Sequence, residues 1–309
     1  MPSGGETLTA TSFTTGSGGK GANQAVACAR LSRPKPSPNT PHPASDIRVQ
    51  MVGAVGADEF GPSLITGLQN DLISTTSIRV IDGQTTGVAV ILVEESTGEN
   101  RILFNPGANS ALQPEDFLTA ESLGTPLPDL LILQLEIPLP TVLQILRTAE
   151  KAHVAVLLNP APAIPLPDAA YASLAHLIVN ESEAAILSGR EAALCSAPDF
   201  DWDVVAREFL ARGVGNVVVT LGARGAFVAR AGEERGAYVE AERVERVVDT
   251  TAAGDTFVGA YAVGVVRKGG GEGGVSVTVE DVRMACRAAG RTVEKKGAQS
   301  AIPWADEVR

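Results

Sequence analysis

Short runs of aliphatic and β-branched residues alternate along the chain with longer stretches whose apolar positions recur every three or four residues. That alternation predicts a parallel sheet wrapped by helices. Arg48 to Val52, Leu130 to Leu135, Val154 to Leu158, Leu177 to Val179 and Val217 to Thr220 read as core strands, because near-continuous apolar runs of this length suit strands covered on both faces. Helical spacing covers Ala22 to Leu31, Pro62 to Asp71, Leu139 to Lys151, Glu181 to Leu187, Trp202 to Arg212, Asp255 to Lys268 and Glu280 to Lys295. Thr278 with Asp281 supplies a capping-box pattern, while Gly269 to Gly271 stop the sixth helix and Gly297 the seventh.

Between Gly83 and Asn105 the pattern changes: Thr85, Gly87 to Val93 and Arg101 to Phe104 flank Glu95-Ser-Thr-Gly-Glu-Asn, which predicts a β-hairpin with no helix after it. The Thr-rich stretch Glu6 to Thr15 reads as a further strand, so the two together predict a small sheet standing off the main body. Arg33 to Ser45 carries five prolines and no apolar face, as an extended surface loop would.

With 309 residues, 44% of them hydrophobic and 20% charged, the chain can bury a real core, and the expectation is one α/β domain over residues 1–309. A small β-sheet is expected from about 6–17 and 83–106, and an inserted Pro-rich loop at 33–45. The formal net charge of −11 gives no general attraction to nucleic acid or an anionic membrane. No apolar run approaches the roughly 18 residues of a membrane span. The first residues, with Glu6 and Lys20 and no apolar core, do not read as a secretory signal. Cys28, Cys195 and Cys286 are scattered and odd in number, which suits free thiols in the cytoplasm, with the nucleus as the alternative. The three cysteines and three histidines show no zinc-site spacing, and there is no G-x-S-x-G elbow.

Two segments carry candidate chemistry. Asp249-Thr-Thr-Ala-Ala-Gly-Asp-Thr-Phe257 follows a Val-rich run and opens a helix with Ala252, Ala253 and Gly254 leaving the first-turn amides bare. Free amides at a helix start attract phosphate oxygens, and Asp255 in that turn is placed to take a proton from an attacking hydroxyl. The plainer alternative is an acid favourable in a first helical turn beside small packing residues. Gly16-Ser-Gly-Gly-Lys-Gly-Ala-Asn23 also opens a helix, but it lacks the later acid of a dinucleotide site and has Gly21 where a P-loop needs Ser or Thr. What remains is bare backbone with one cation and one amide, either a clamp for a polyhydroxylated ligand or a Gly-rich turn with a surface Lys.

In this order, with Thr86-Gly-Val88, Gly107-Ala-Asn109, Leu135-Glu136, Asn159-Pro-Ala-Pro-Ala163, Asn180-Glu-Ser-Glu183, Thr220-Leu-Gly-Ala-Arg-Gly225 and Lys296-Gly-Ala-Gln299 in their places, the chain resembles the ribokinase family of carbohydrate kinases from about Gly5 to Trp304. The resemblance implies an α/β body with a β-sheet lid, ATP as phosphoryl donor, Mg²⁺, and a monovalent cation, K⁺. It implies that Gly18, Gly19, Lys20, Asn23 and Glu136 contact a pentose such as ribose, whose primary hydroxyl Asp255 deprotonates beside an anion hole at Ala252, Ala253 and Gly254. Asn180 and Glu183 are implied near the triphosphate and Mg²⁺, with Thr220, Gly222 and Gly225 along the nucleotide. Asp249, Thr251, Thr292, Lys295, Gly297 and Ala301 are implied around K⁺, mostly through backbone carbonyls, and the lids are implied to pair in a homodimer.

The sequence also departs from the family. Its members normally open with a core strand carrying Gly-Ser and Asn-x-Asp and then a first lid strand. The given sequence starts at Met1-Pro-Ser-Gly-Gly-Glu6, so a gap or raw edge is expected in the sheet. Ala301 stands where the family has a Ser near K⁺, and Cys286 where a His often meets adenine. The alternatives are a kinase for a nucleoside, a ketose phosphate or another pentose, a catalytically impaired ATP- or sugar-binding protein, and, most remote, a dinucleotide-dependent dehydrogenase.

Overall fold

The structure, a computed structural model, describes all residues except 1–4, 6, 8, 42, 94–99, 196, 198, 270–276 and 309. In chain order the main elements are α1 (Lys20–Leu31), β1 (Gln50–Gly56), α2 (Gly61–Asn70), β2 (Ser74–Ile81), β3 (Val88–Val93), β4 (Asn100–Asn105), β5 (Leu130–Leu133), α3 (Leu139–Lys151), β6 (Ala155–Leu158), β7 (His176–Asn180) and α4 (Glu181–Ser188). They continue with α5 (Ala192–Cys195), α6 (Trp202–Ala211), β8 (Asn216–Thr220), β9 (Ala226–Arg230), β10 (Ala237–Val239), α7 (Ala253–Lys268) and α8 (Val279–Val293).

A six-stranded sheet runs in the order β10-β9-β8-β7-β6-β5. β5 to β8 pair in parallel, and β9 and β10 add antiparallel strands at one edge. Side chains alternate between its faces as strand geometry requires. Leu177 and Val179 join α3, α4 and α6 in one core through Ile145, Ala184 and Phe209, whereas Ile178 and Val218 join α1, α7 and α8 in the other through Val26, Tyr261 and Val282. The result is three layers, with every central strand covered on both sides, which is why these strands read as unbroken apolar runs.

β1 and β2 form a separate parallel pair. Val52 and Ala54 face the first core together with Leu131 and Leu133, while Val49 and Met51 face the second together with Leu130 and Ile132. The pair thus continues the layer of the large sheet without joining its ladder among the described residues. Its start is tied to the approach to β5 by Gln50, which donates to the Pro126 carbonyl and accepts from the Thr125 amide, both at 3.2 Å.

β3 and β4 pair as the expected hairpin, from Val88 opposite Asn105 to Val93 opposite Asn100, and its connection at 94–99 lies outside the described residues. Asp58 anchors the hairpin's base, taking the Thr86 amide at 2.7 Å and hydroxyl at 2.6 Å. The predicted strand at Glu6 to Thr15 is not found: the described residues there carry no strand, and Phe13 is 87% exposed. Thr favours strands only where a neighbour completes the ladder, and none of the described residues does so here. Beyond it, Arg33 to Ser45 is loop apart from one bridge between Ser37 and Thr40, with His42 outside the described residues. Thr278 and Asp281 do form the reciprocal capping box. Of the expected glycine stop of the sixth helix, Gly269 caps α7, and 270–271 are not described.

Candidate active site

The C-terminal ends of β5 to β8 and the N-termini of α1, α4 and α7 converge on one cleft, the usual place for ligands in such sheets. Its cavity of about 220 Å³ is lined by Lys20, Asn159, Asn180, Glu183, Thr220, Thr250, Ala252, Gly254 and Asp255, among others. Residues from both ends of the chain therefore meet there, as the two glycine-rich segments suggested.

α1 starts on Gly19, whose φ of 87° is a left-handed conformation that side chains resist. That turn aims the Lys20 amide at Glu136, which accepts it through Oε2 at 2.7 Å. Burial pushes the Glu136 carboxyl up, the Lys20 amide and charge oppose this, and the charge of Asp255 adds to it. Gly18 is half-buried beside this turn.

One helical turn further, Asn23 and Gln24 both reach Asp255. Asn23 Nδ2 donates to Oδ2 at 2.8 Å and Gln24 Nε2 donates to Oδ1 at 3.0 Å. The approach depends on Gly259 in α7, where a Cβ would lie 2.3 Å from Ala27 Cβ and 2.9 Å from the Cys28 amide of α1. Asp255 is 5% exposed, and Asn23 Oδ1 beside it is a buried acceptor without a partner among the described residues.

α7 begins after Ala252, itself left-handed at φ 60°. The Thr256 amide bonds back to Ala252 O at 2.8 Å and the Ala253 amide to Thr250 O at 3.3 Å. The amides of Ala252, Gly254 and Asp255 are left without a protein acceptor among the described residues. Of the three expected donors, Ala253 is thus occupied, and the Asp255 amide takes its place. Such a cluster at a helix start, with the dipole behind it, suits a phosphoryl oxygen.

Opposite, Asn180 and Glu183 form the capping box of α4: Asn180 Oδ1 accepts the Glu183 amide at 2.8 Å and Glu183 Oε2 accepts the Asn180 amide at 2.9 Å. Both also line the cleft, so the structural and the functional expectations coexist. Burial pushes Glu183 up, with the Asn180 amide and Lys20 opposing and Asp255 reinforcing. Thr220 ends β8, and Gly222 and Gly225 bracket the turn that follows it without lining the cavity. Cys286 does not line it either: it is buried in the α7–α8 core, where burial pushes its thiol up to about 11.

The residues expected around a monovalent cation lie together behind the α7 start. Asp249 accepts the Thr251 amide and, through its other oxygen, the Gly297 amide, each at 2.9 Å. Burial raises this carboxyl, but the bonds from Thr251 and Gly297 outweigh it and hold it below the ordinary carboxylate range. The Thr251, Gly297 and Ala301 carbonyls accept no protein hydrogen bond among the described residues. Hard, unclaimed oxygens of this kind fit K⁺. Thr292 is fully buried, its hydroxyl on Thr256 at 2.8 Å and its carbonyl taken by the Lys295 amide at 3.1 Å, whereas the Lys295 carbonyl accepts no protein hydrogen bond among the described residues while its ammonium pairs outward with Glu307 at 3.7 Å. The described residues hold no cluster of three or more His, Cys, Asp or Glu side chains able to bind a metal.

Sequence reasoning missed Gln24, Gln134 and Asn159 as site residues. Asn159 opens one of the segments that carry the family resemblance and Gln24 follows Asn23, but no role was assigned to either, and Gln134 had only its place at a strand end, because side-chain amides have no spacing signature.

The sequence profile of the pfkB family carbohydrate kinases matches residues 2–305. A protein of Schizosaccharomyces pombe named ribokinase is 42% identical over 99% of this chain and 90% of its own length. A deoxyribokinase of Salmonella typhimurium is 37% identical over 98% of this chain and 90% of its own. The Arabidopsis thaliana ribokinase structure complexed with ribose and ATP superposes with a TM-score of 0.80 at 29% identity, covering 100% of this chain and 91% of the other. A family profile spanning nearly the whole chain, matched by the cleft at the strand ends, makes this chain a member of the pfkB family of carbohydrate kinases.

Proposed function

We propose that this chain transfers the γ-phosphoryl group of ATP to the primary hydroxyl of D-ribose, giving ribose 5-phosphate. The observation that carries the reading is the pairing of Asp255 with unclaimed amides in its own helical turn, beside the buried free acceptor of Asn23. A relative named ribokinase and a neighbouring structure that holds ribose and ATP support the choice of substrates.

In this mechanism Glu136, Asn23 Oδ1 and the Gly18–Lys20 backbone take the sugar hydroxyls, and the ribose primary hydroxyl lies against Asp255. Asp255 accepts its proton as the oxygen attacks in line, and the amides of Ala252, Gly254 and Asp255 receive charge from the transferred phosphoryl oxygens. Lys20 reaches the same cavity and adds a positive charge. Asn180 and Glu183 border the triphosphate, with Thr220, Gly222 and Gly225 toward the nucleoside. When bound, Mg²⁺ would neutralise phosphate charge, and K⁺, which the carbonyls of Thr251, Lys295, Gly297 and Ala301 would hold, would strengthen the positive field at the anion hole. A kinase acting in the cytoplasm fits the buried free cysteines, and no helix among the described residues is long and apolar enough to cross a membrane.

The β3–β4 hairpin is the lid of this reading, and its exposed Val88, Val90, Leu92 and Leu103, which share one face, supply an apolar surface for a second copy. Light scattering tests that pairing: a dimer that Leu103→Asp dissociates supports it, and a monomeric wild type overturns it.

Deoxyribose is the second acceptor to weigh, because a deoxyribokinase lies within the same range of identity. ADP production with Mg²⁺-ATP and K⁺, measured with ribose, 2-deoxyribose, a nucleoside or no acceptor, tests the assignment. Ribose-dependent ADP with ribose 5-phosphate as product supports it, while turnover confined to another acceptor, or independent of any, overturns it.

A further inference from the structure

Beneath the base lies a chain of three side-chain amides that the reaction itself does not call for. Gln134 Nε2 donates to Gln24 Oε1 at 2.6 Å, and Gln24 Nε2 donates to Asn159 Oδ1 and to Asp255 Oδ1, both at 3.0 Å. Asn159 Nδ2 in turn donates to the Ile178 carbonyl at 2.9 Å. Gln24 is 1% exposed, so its amide cannot turn to water instead, and Asn159, though it borders the cleft, is 9% exposed with its NH₂ held by a backbone carbonyl.

The direction of this chain is dictated at one end. A backbone carbonyl can only accept, so Asn159 must present its NH₂ to Ile178 and its oxygen to Gln24. Gln24 must then point its NH₂ toward Asn159 and Asp255 and its oxygen outward, where Gln134 donates to it. Reversing one amide would oppose oxygen to oxygen at the next, at a buried site where an unpaired polar group is costly.

We infer that Gln134, Gln24 and Asn159 form a one-way amide relay that fixes the rotation of the Asp255 carboxylate and keeps a donor on it. Gln24 occupies one oxygen of Asp255 and Asn23 the other, which leaves a defined lone pair for the incoming proton. The relay members are positioning residues, and the inference deepens the kinase reading on which it rests.

Gln134→Glu is the decisive variant. A carboxylate at 134 can only accept, so Gln24 turns its NH₂ toward it and sets Oε1 against Asp255. Gln134→Met removes the donor without demanding that turn. Lys20, Glu136 and Glu183, the charged groups that share the cleft with Asp255, are the same in both variants. Turnover should fall about tenfold in kcat in Gln134→Glu with the ribose KM within about threefold, while Gln134→Met lowers kcat far less. Through-hydrogen-bond NMR coupling between Gln24 Nε2 and the Asp255 carboxyl carbon reads the turn of Gln24 in the unliganded protein without any turnover: it should be present in the wild type and in Gln134→Met and lost in Gln134→Glu. If Gln134→Glu fails to fold, Gln24→Met, which withdraws the donor outright, should lower kcat with the ribose KM little changed. A coupling that persists in Gln134→Glu, or an unchanged kcat in Gln24→Met, would overturn the relay. A wild type without ribose-dependent turnover would instead count against the kinase reading and leave the NMR test standing.

Discussion

Asn23 Nδ2 lies 2.8 Å from Asp255 Oδ2, joining side chains 232 positions apart in the sequence. The contact ties the glycine-rich start of α1 to the start of α7, so the proposed sugar-binding and phosphoryl-binding halves cannot move independently. Replacing Asp255 by Asn keeps the volume and removes the proton acceptor. Turnover is expected to fall by about 10² to 10⁴, the range for general-base loss, with ATP affinity little changed and the melting temperature lowered, because the new NH₂ at 255 faces the Asn23 or the Gln24 donor. Steady-state kinetics beside calorimetric ATP binding check this, and a rate near wild type would rule out Asp255 as the base.

The α1–α7 crossing that makes this contact has no room for a side chain at 259. A Cβ there would meet Ala27 Cβ at 2.3 Å and the Cys28 amide at 2.9 Å, so the helices must part. Gly259→Val should cost about 1–3 kcal/mol in urea unfolding, as overpacking does, and should lower kcat because Asn23 and Gln24 withdraw from Asp255. Ala260, the next position on α7, is only partly buried against the core, so Ala260→Val serves as the control and should cost much less.

What could be read in advance follows from what leaves a periodic trace. β6, β7 and β8 are buried on both faces and appear as Val/Leu/Ile runs, so their positions were legible. β2 was not, because Ser74–Ile81 lies half-exposed at an edge and mixes Ser, Thr and Arg with its apolar residues. β9 and β10 are short, and nothing local announces that they extend the sheet antiparallel. In the site, Asp255 and Lys20 were legible because glycines and small residues mark the turns that expose them. The freeing of the Asp255 amide and the capture of the Ala253 amide by Thr250 depend on the left-handed Ala252, which is not a residue type that signals positive φ.

Asp58 couples the hairpin to the body. Hydrogen bonds from the Thr86 hydroxyl and amide, with those of Gly61 and Phe60, hold its carboxyl at about 2. Asp58→Ala should free the hairpin base and raise the ribose KM several-fold while the ATP KM changes less, if the hairpin covers the sugar. Because the folded value lies below the unfolded one of about 3.9, the group stabilises the fold above about pH 4 and that contribution fades as the pH falls toward 2. The melting temperatures of variant and wild type should therefore differ at pH 7 and draw together in strong acid.

His176 sets a second pH dependence, of opposite chemical origin. It is fully buried in β7, with Nδ1 2.7 Å from the Tyr261 hydroxyl and Nε2 without a partner among the described residues, and burial pushes its pKa down to about 4 from an ordinary 6.5. The unfolded chain therefore binds a proton between those values that the folded one refuses, so stability rises with pH across this window. Lowering the pH from 7 to 5 at constant temperature should remove roughly 2 kcal/mol of unfolding free energy through this group alone, at about 1.4 kcal/mol per unit below 6.5. His176→Gln, which cannot titrate, should flatten that part of the urea-denaturation profile whatever it costs at pH 7. An equally steep loss between pH 7 and 5 in the variant would assign the acid sensitivity to other groups.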